Sequence, residues 1–292
     1  MDLIVETDIG HDPDDFFAIS YLIAAGVNIR AILISPGDPD QIAIARLLCD
    51  EVGLKIPIGT SKSDRTKLSS GSIHHELLKA YNRPLEAKGD GLGADILEDV
   101  VRNYPESELF IIGPVSSIGK YMAKHPEVHF KRATMQGGFL PYHLHLPKVR
   151  LPDFDNKGWM PTFNLNGDRP AAQTFLAGNI DERRMVGKNI CHTVIFNQEA
   201  WEKGDNQITV KNVPALKLFE MAAYMYLARH ESKKFHDPTA AVCMMHPEIG
   251  TWFRGNTIKQ ESGWTTKPNP DGDYVLADIN YDHLWEFMLS FR

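Results

Sequence analysis

The chain has 292 residues, 43% hydrophobic and 24% charged, which are ordinary proportions for a globular protein. A formal net charge of −7 argues against nucleic acid or an anionic membrane as partner, since both demand basic surface. No apolar run approaches the length of a membrane span, and Met1-Asp2 leads straight into an apolar stretch without a signal peptide. Cys49, Cys191 and Cys243 are widely spaced with no Cys-x-x-Cys pair, which predicts reduced thiols, in the core or near a site, in a cytoplasmic protein.

Leu3, Ile4 and Val5 predict a buried first strand. Behind it Glu6, Asp8, Asp12, Asp14 and Asp15 fall within ten residues. Gly10 and Pro13 shape a turn into an amphipathic helix that carries Phe16, Phe17, Ile19, Leu22 and Ile23 at three- and four-residue spacing. Carboxylates this dense repel one another unless something positive holds them together. The carboxyl end of a strand in an open α/β sheet is where ligands bind. All-oxygen donors suit a hard divalent cation, Ca²⁺ or Mg²⁺. The competing reading is a solvated acidic turn with Asp14 or Asp15 capping the helix.

Further along, Ile29–Ile34 predicts a second strand ending at Ser35-Pro36-Gly37-Asp38, followed by a helix Pro39–Val52. A short strand Ile56–Ile58 leads to a polar loop Ser61–Ser72, a Gly-rich turn Lys88–Leu92 and a helix Ala94–Asn103. Glu108–Ile112 is a buried strand running into Gly113-Pro114 and a helix through Ile118 and Met122. Arg132–Gln136 is another strand, ending at Gly137-Gly138. The segment Phe139–Trp159 lacks periodicity, and loops this long are often lids or binding loops. Thr162-Phe163-Asn164 precedes a helix Pro170–Leu176 and a strand Arg184–Val186. Leu216–His230 predicts a long helix whose apolar stripe packs into the core. Phe235-His236-Asp237-Pro238 stands before a helix Thr239–Met245, and alone reads as an ordinary helix start. Strands Gly255–Gln260 and Tyr274–Asp278 and a helix Tyr281–Phe291 close the chain. Alternating strands and helices predict an α/β protein with a mostly parallel central sheet, a Rossmann-like core and helices on both faces. No linker or repeat interrupts it, so residues 1–292 are expected to form a single domain.

Taken in order, these motifs resemble the nucleoside hydrolases. Glu6-Thr7-Asp8-Ile9-Gly10-His11-Asp12-Pro13-Asp14-Asp15 is similar to a longer variant of that family's N-terminal signature, with Glu6 replacing its first Asp. Ile112-Gly113-Pro114, the strand end Gln136-Gly137-Gly138, Phe163-Asn164 and His236-Asp237-Pro238 follow in the family's order, across essentially the whole chain. The resemblance implies hydrolysis of a ribonucleoside to free base and ribose, as in nucleoside salvage, with Ca²⁺ (or Mg²⁺) bound by Asp8, Asp15, the Ile112 carbonyl and Asp237. It implies Asp8 as general base, Asp14 and Asn164 on ribose hydroxyls, Gln136 near the ribose and Asp237 on the 3′-hydroxyl as well as the metal. His236 becomes the candidate general acid for the departing base. Thr162 stands where the family's Glu holds the 5′ end, and Lys88 where many relatives have His. Asp38, in place of a common Asn, is expected to add negative charge near the ribose. The role of Asp12 stays open. A homodimer or homotetramer acting on a small-molecule nucleoside is implied as well.

Two other classes compete. A haloacid dehalogenase-type phosphatase is motivated by Asp12-x-Asp14, although Asp8 is the strand-end residue. A non-catalytic nucleoside- or ribose-binding protein on the same scaffold is motivated by Glu6, Asp38, Lys88, Ile112 and Thr162.

Overall fold

Leu3, Ile4 and Val5 lose all exposure in β1 (Asp2–Thr7), as a strand covered on both faces requires. The computed structural model describes residues 1–10, 12–69, 73–203 and 214–290. To one side of β1 lie β2 (Asn28–Ile34), β3 (Ile58–Thr60) and the two-residue β4 (Gly91–Leu92). To the other lie β5 (Glu108–Ile111), β6 (His129–Gln136), β7 (Asn179–Val186) and, late in the chain, β12 (Asp273–Ile279). All of these pair in parallel. β10 (Gly250–Gln260) and β11 (Gly263–Pro268) extend the β12 edge in antiparallel fashion. The chain therefore builds outward from β1 one way and from β5 the other. The crevice between the two strand ends is the switch point where an open sheet leaves room for a ligand.

Strand alternation sends alternate side chains to two cores. Leu3, Val5, Ile32, Ile34 and Phe110 pack beneath α1 (Pro13–Ala24), α2 (Pro39–Glu51) and the helices Pro214–Leu227 and His236–Met245. Ile4, Ala31, Leu33, Leu109 and Ile111 face the opposite layer, formed by α4 (Gly93–Asn103), α5 (Ser116–Lys124) and α7 (Arg169–Ala177). The mostly parallel α/β sheet with helices on both faces is thus as expected. Leu216, Leu218, Phe219 and Ala222 are core residues, as their stripe predicts.

Several boundaries differ from the sequence expectation. The third strand starts at Ile58, two residues late, and the polar stretch after it hides α3 (Ile73–Ala80), whose Ile73, Leu77 and Leu78 are buried. Positions 70–72 of the expected loop and position 291 of the expected last helix, here Tyr281–Ser290, lie outside the described residues. β11 went unpredicted because its Thr265 and Thr266 read as polar yet are buried. The helix expected at Thr239 begins at His236, which places His236 and Asp237 in its first turn.

Candidate active site

The end of β1 is held in place by buried polar contacts. Glu6 accepts hydrogen bonds from the Ser117 and Ile118 amides of α5, at 2.6 and 3.0 Å, and from the Ser35 hydroxyl at 3.1 Å. Burial outweighs these donors and pushes its carboxyl up to about 7. Glu6 is therefore an anchor between three elements and faces away from the cavity. Gly113 lets the β5 end close on β1: a Cβ there would sit 2.4 Å from the Thr7 carbonyl carbon and 2.5 Å from the Asp8 amide nitrogen. The Ile112 amide donates to the Glu6 carbonyl at 2.8 Å. Gln41 of α2 clasps the loop by donating to the Asp8 carbonyl at 3.0 Å and accepting from the Asp38 amide at 3.0 Å.

These contacts open a cavity of about 370 Å³ at the switch point, a volume suited to a small molecule. Asp8, Asp14, Asp15, Ile112, Gln136, Asn164, His236 and Asp237 all line it, as do Asp12, Lys233 and Phe163. The Asp8 and Asp237 carboxylates, at opposite ends of the sequence, thus share one cavity. Burial first, then mutual repulsion, holds Asp8, Asp14 and Asp237 well above the usual carboxylate range and pushes Asp15 up to about 7. The Thr7 hydroxyl donates to Asp15. Carboxylate oxygens of Asp12, Asp14 and Asp15 lie within 4.8 Å of one another.

The positive charge that such density demands is Lys233, which sequence reasoning missed. Its Nζ lies 2.7 Å from Asp12 Oδ2 and 3.3 Å from Asp14 Oδ2. Although its burial opposes the charge, Asp14 and Asp12 outweigh that and keep it protonated. Burial likewise pushes Asp12 up, but a hydrogen bond with Asp14 and the Lys233 charge win and hold it down at about 2. Lys233 is the middle residue of β9 (Ser232–Lys234), which pairs with β8 (Ile195–Asn197), and strand alternation turns it inward while its neighbours face out.

Two expected residues do not reach the cavity lining. Asp38, at the N-terminus of α2, is buried and its charge is taken up by Arg65 Nε at 2.5 Å, so it adds no free negative charge at the ribose. Thr162 is buried, its Oγ1 without a hydrogen-bond partner among the described residues, one residue before Phe163, whose 66% exposed ring stands at the cavity edge. Lys88 also lies elsewhere, its carbonyl taken by Arg46. Asp12 and Asp14 sit at the start of α1, beyond the end of β1, and Lys233 binds both, so they are not a strand-end phosphatase pair.

Asn164 Nδ2 donates to the Gln136 carbonyl at 3.0 Å and to its side-chain oxygen at 2.8 Å, while Gln136 Nε2 reaches Cys191 Sγ at 3.3 Å. His236 Nδ1 is 3.7 Å from Asp14 Oδ2, and its buried Nε2 has no hydrogen-bond partner among the described residues. Its ring stacks on His192 at 4.8 Å between centroids, and His192 meets Phe154 at 5.6 Å. Within the loop Phe139–Trp159, Phe139, Tyr142 and Phe154 form a small aromatic core of their own, with Phe154 turned to His192. Burial, Lys233 and the adjacent His192 push His236 down to about 3, so it carries a single ring proton at neutral pH. Cys191, His192 and His236 also lie close enough to hold a soft metal. Lys234 Nζ, 3.4 Å from His192 Nδ1, opposes a cation there, and burial pushes the Cys191 thiol up to about 12.

An α/β sheet with an acidic, oxygen-lined cavity at its switch point is a framework for binding a small ligand. Residues 3–286 match the family model described as inosine-uridine preferring nucleoside hydrolase, and the chain belongs to that family. Solved structures with the same fold include a plant nucleoside hydrolase, PpNRh1, at TM-score 0.74 and 17% identity, covering 99% of this chain and 98% of that one. An inosine-uridine preferring nucleoside hydrolase from Bacillus anthracis superposes at TM-score 0.74 and 14% identity, covering 99% and 98%. A purine-preferring ribonucleoside hydrolase from Gardnerella vaginalis does so at 0.67 and 16%, covering 100% and 98%. No curated protein sequence matches the chain significantly. Among the described residues, no helix is long and apolar enough to cross a membrane.

Proposed function

We propose that the protein, acting as one unit over residues 1–292, hydrolyses the N-glycosidic bond of a small-molecule ribonucleoside. Its site is read as one for a hard divalent ion, Ca²⁺ or alternatively Mg²⁺. The observation that carries this reading is the convergence of Asp8 and Asp237 on one cavity. The donor set fits such an ion: Asp8, Asp15 and Asp237 offer only oxygen, and their crowding costs energy that a divalent charge would relieve. Asp8, Asp15, Asp237 and the Ile112 carbonyl would hold it. When bound, such an ion supplies activation of a water as nucleophile.

The remaining steps belong to the side chains. Asp8, at the end of β1, takes the proton from the attacking water. Asp14 and Asp237 accept from sugar hydroxyls. Asn164 has its amide committed to Gln136, so its carbonyl is the group left for a further hydroxyl. These bonds strengthen as the ring flattens toward an oxocarbenium-like state. His236, holding one N–H, donates a hydrogen bond to the leaving base, which departs as its anion and takes its proton from solvent, while Asp8 returns the water's proton to solvent. Phe163 covers the open side. A cytoplasmic homodimer or homotetramer working in nucleoside salvage accords with this chemistry.

The test is release of free base from a panel of purine, pyrimidine and modified nucleosides, with and without a strong chelator. Base release that stops on chelation supports the reading. Tight ribose binding with no product from any substrate overturns it in favour of a binding protein.

A further inference from the structure

Lys233 is the one lysine or arginine among the described residues that line the cavity, and it is buried to 9% exposure. It comes from β9, outside the main sheet, and grips two carboxylates of the first loop: Asp12 at 2.7 Å and Asp14 at 3.3 Å. Asp12 is the more exposed of the two, with 37% of its side-chain surface open, against 3% for Asp14. An ammonium has three donors and no fixed plane, so one lysine can hold both oxygens at once. Neither Asp12 nor Lys233 is among the groups assigned above to the metal or to the proton transfers.

We propose that the Asp12–Lys233 pair positions the sugar site: Lys233 turns Asp14 toward the substrate hydroxyls, and Asp12 holds Lys233 in place. This rests on the ribonucleoside reading proposed above. A second consequence follows from charge alone. Lys233 sits among carboxylates that a divalent ion would also occupy, so its ammonium repels that ion while it organises the sugar. Removing the lysine should therefore move two affinities in opposite directions. General damage to the fold would weaken both.

The experiment is calorimetric titration of Ca²⁺, and separately of ribose, into the wild-type chain and the variants Lys233→Met, Lys233→Arg, Asp12→Asn and the double variant Asp12→Asn/Lys233→Met. Nucleoside KM and kcat are measured alongside. For Lys233→Met, ribose binding weakens and KM rises by at least about tenfold, more than kcat falls. Ca²⁺ binds several-fold more tightly, on the order of threefold or more. Lys233→Arg returns Ca²⁺ affinity toward wild type because it restores the charge. For ribose the double variant is no worse than Lys233→Met, since Asp12 reaches the sugar site only through the lysine, while loss of the Asp12 charge brings Ca²⁺ affinity back toward wild type. Ca²⁺ and ribose affinities in Lys233→Met equal to wild type, or both weakened, overturn the inference while a working wild type leaves the hydrolase reading intact. A wild-type chain that binds neither Ca²⁺ nor ribose overturns both.

Discussion

His236 and Glu6 show how far a residue's surroundings alter what its type implies. A histidine of ordinary pKa acting as an acid gives a rate that falls as pH rises through about 6.5. His236 is held near 3, so kcat should show no such fall between pH 5.5 and 8, whereas His236→Ala should lower kcat about tenfold or more by removing a hydrogen bond. A wild-type rate that declines with a midpoint near 6.5 would instead make His236 an imidazolium acid. Glu6 has the opposite shift, up to about 7 from 4.5. The folded carboxyl keeps its proton where the unfolded one loses it, so stability falls as pH rises across that window, by at most about 3 kcal/mol. Denaturation of Glu6→Gln should therefore show a flatter dependence between pH 5 and 8 than wild type, and parallel curves would contradict the assignment. The sequence makes the acidic loop and Asp237 legible, because carboxylates so dense behind a strand have few other uses. Lys233 and His192 were not legible: Ser-Lys-Lys reads as solvated surface, and only the inward register of β9 buries its middle residue. Asp38 was misplaced because adjacency to a strand end does not reveal capture by Arg65.

Among the elements, the junction of β1, β5 and α5 carries the site. Gly113 permits the two strand ends to touch, and Glu6 ties them to the first turn of α5. Gly113→Ala would force a methyl into backbone at 2.4 Å, a clash that side-chain motion cannot relieve. We expect it to lower stability by roughly 1–3 kcal/mol and to weaken Ca²⁺ binding with it, as the Ile112 carbonyl moves away from Asp8. Unchanged melting and Ca²⁺ affinity would show that the close approach is dispensable. Element types were readable wherever apolar periodicity was strong, as in β1, α1 and β5. They were not where buried threonines masked β11, or where a polar approach masked α3.

At the scale of the whole molecule, the sheet joins parts of the sequence that share no local signal. The strand order is β11–β10–β12–β7–β6–β5–β1–β2–β3–β4, and the helix His236–Met245, packed against α1 on one face of the sheet, brings Asp237 to the N-terminal loop. The parallel architecture could be read from alternation, but which strand ends become neighbours could not, since that depends on the switch between β1 and β5. Crowded carboxylates also couple metal to stability. Asp8, Asp14, Asp15 and Asp237 are all shifted upward, so they retain protons in the folded state that the unfolded chain gives up, and the metal-free protein loses stability as pH rises toward 7. Ca²⁺ requires them ionised, so its effect on the melting temperature should be small at pH 5 and large at pH 8. An equal effect at both would argue against carboxylate ligation. The most direct single measurement is a Ca²⁺ titration by calorimetry of the wild-type chain beside Asp8→Ala and Asp237→Ala. One site per chain in the wild type, lost in both variants, is the result expected. Wild-type stoichiometry and affinity retained in both variants would contradict a shared ion between the two ends of the sequence.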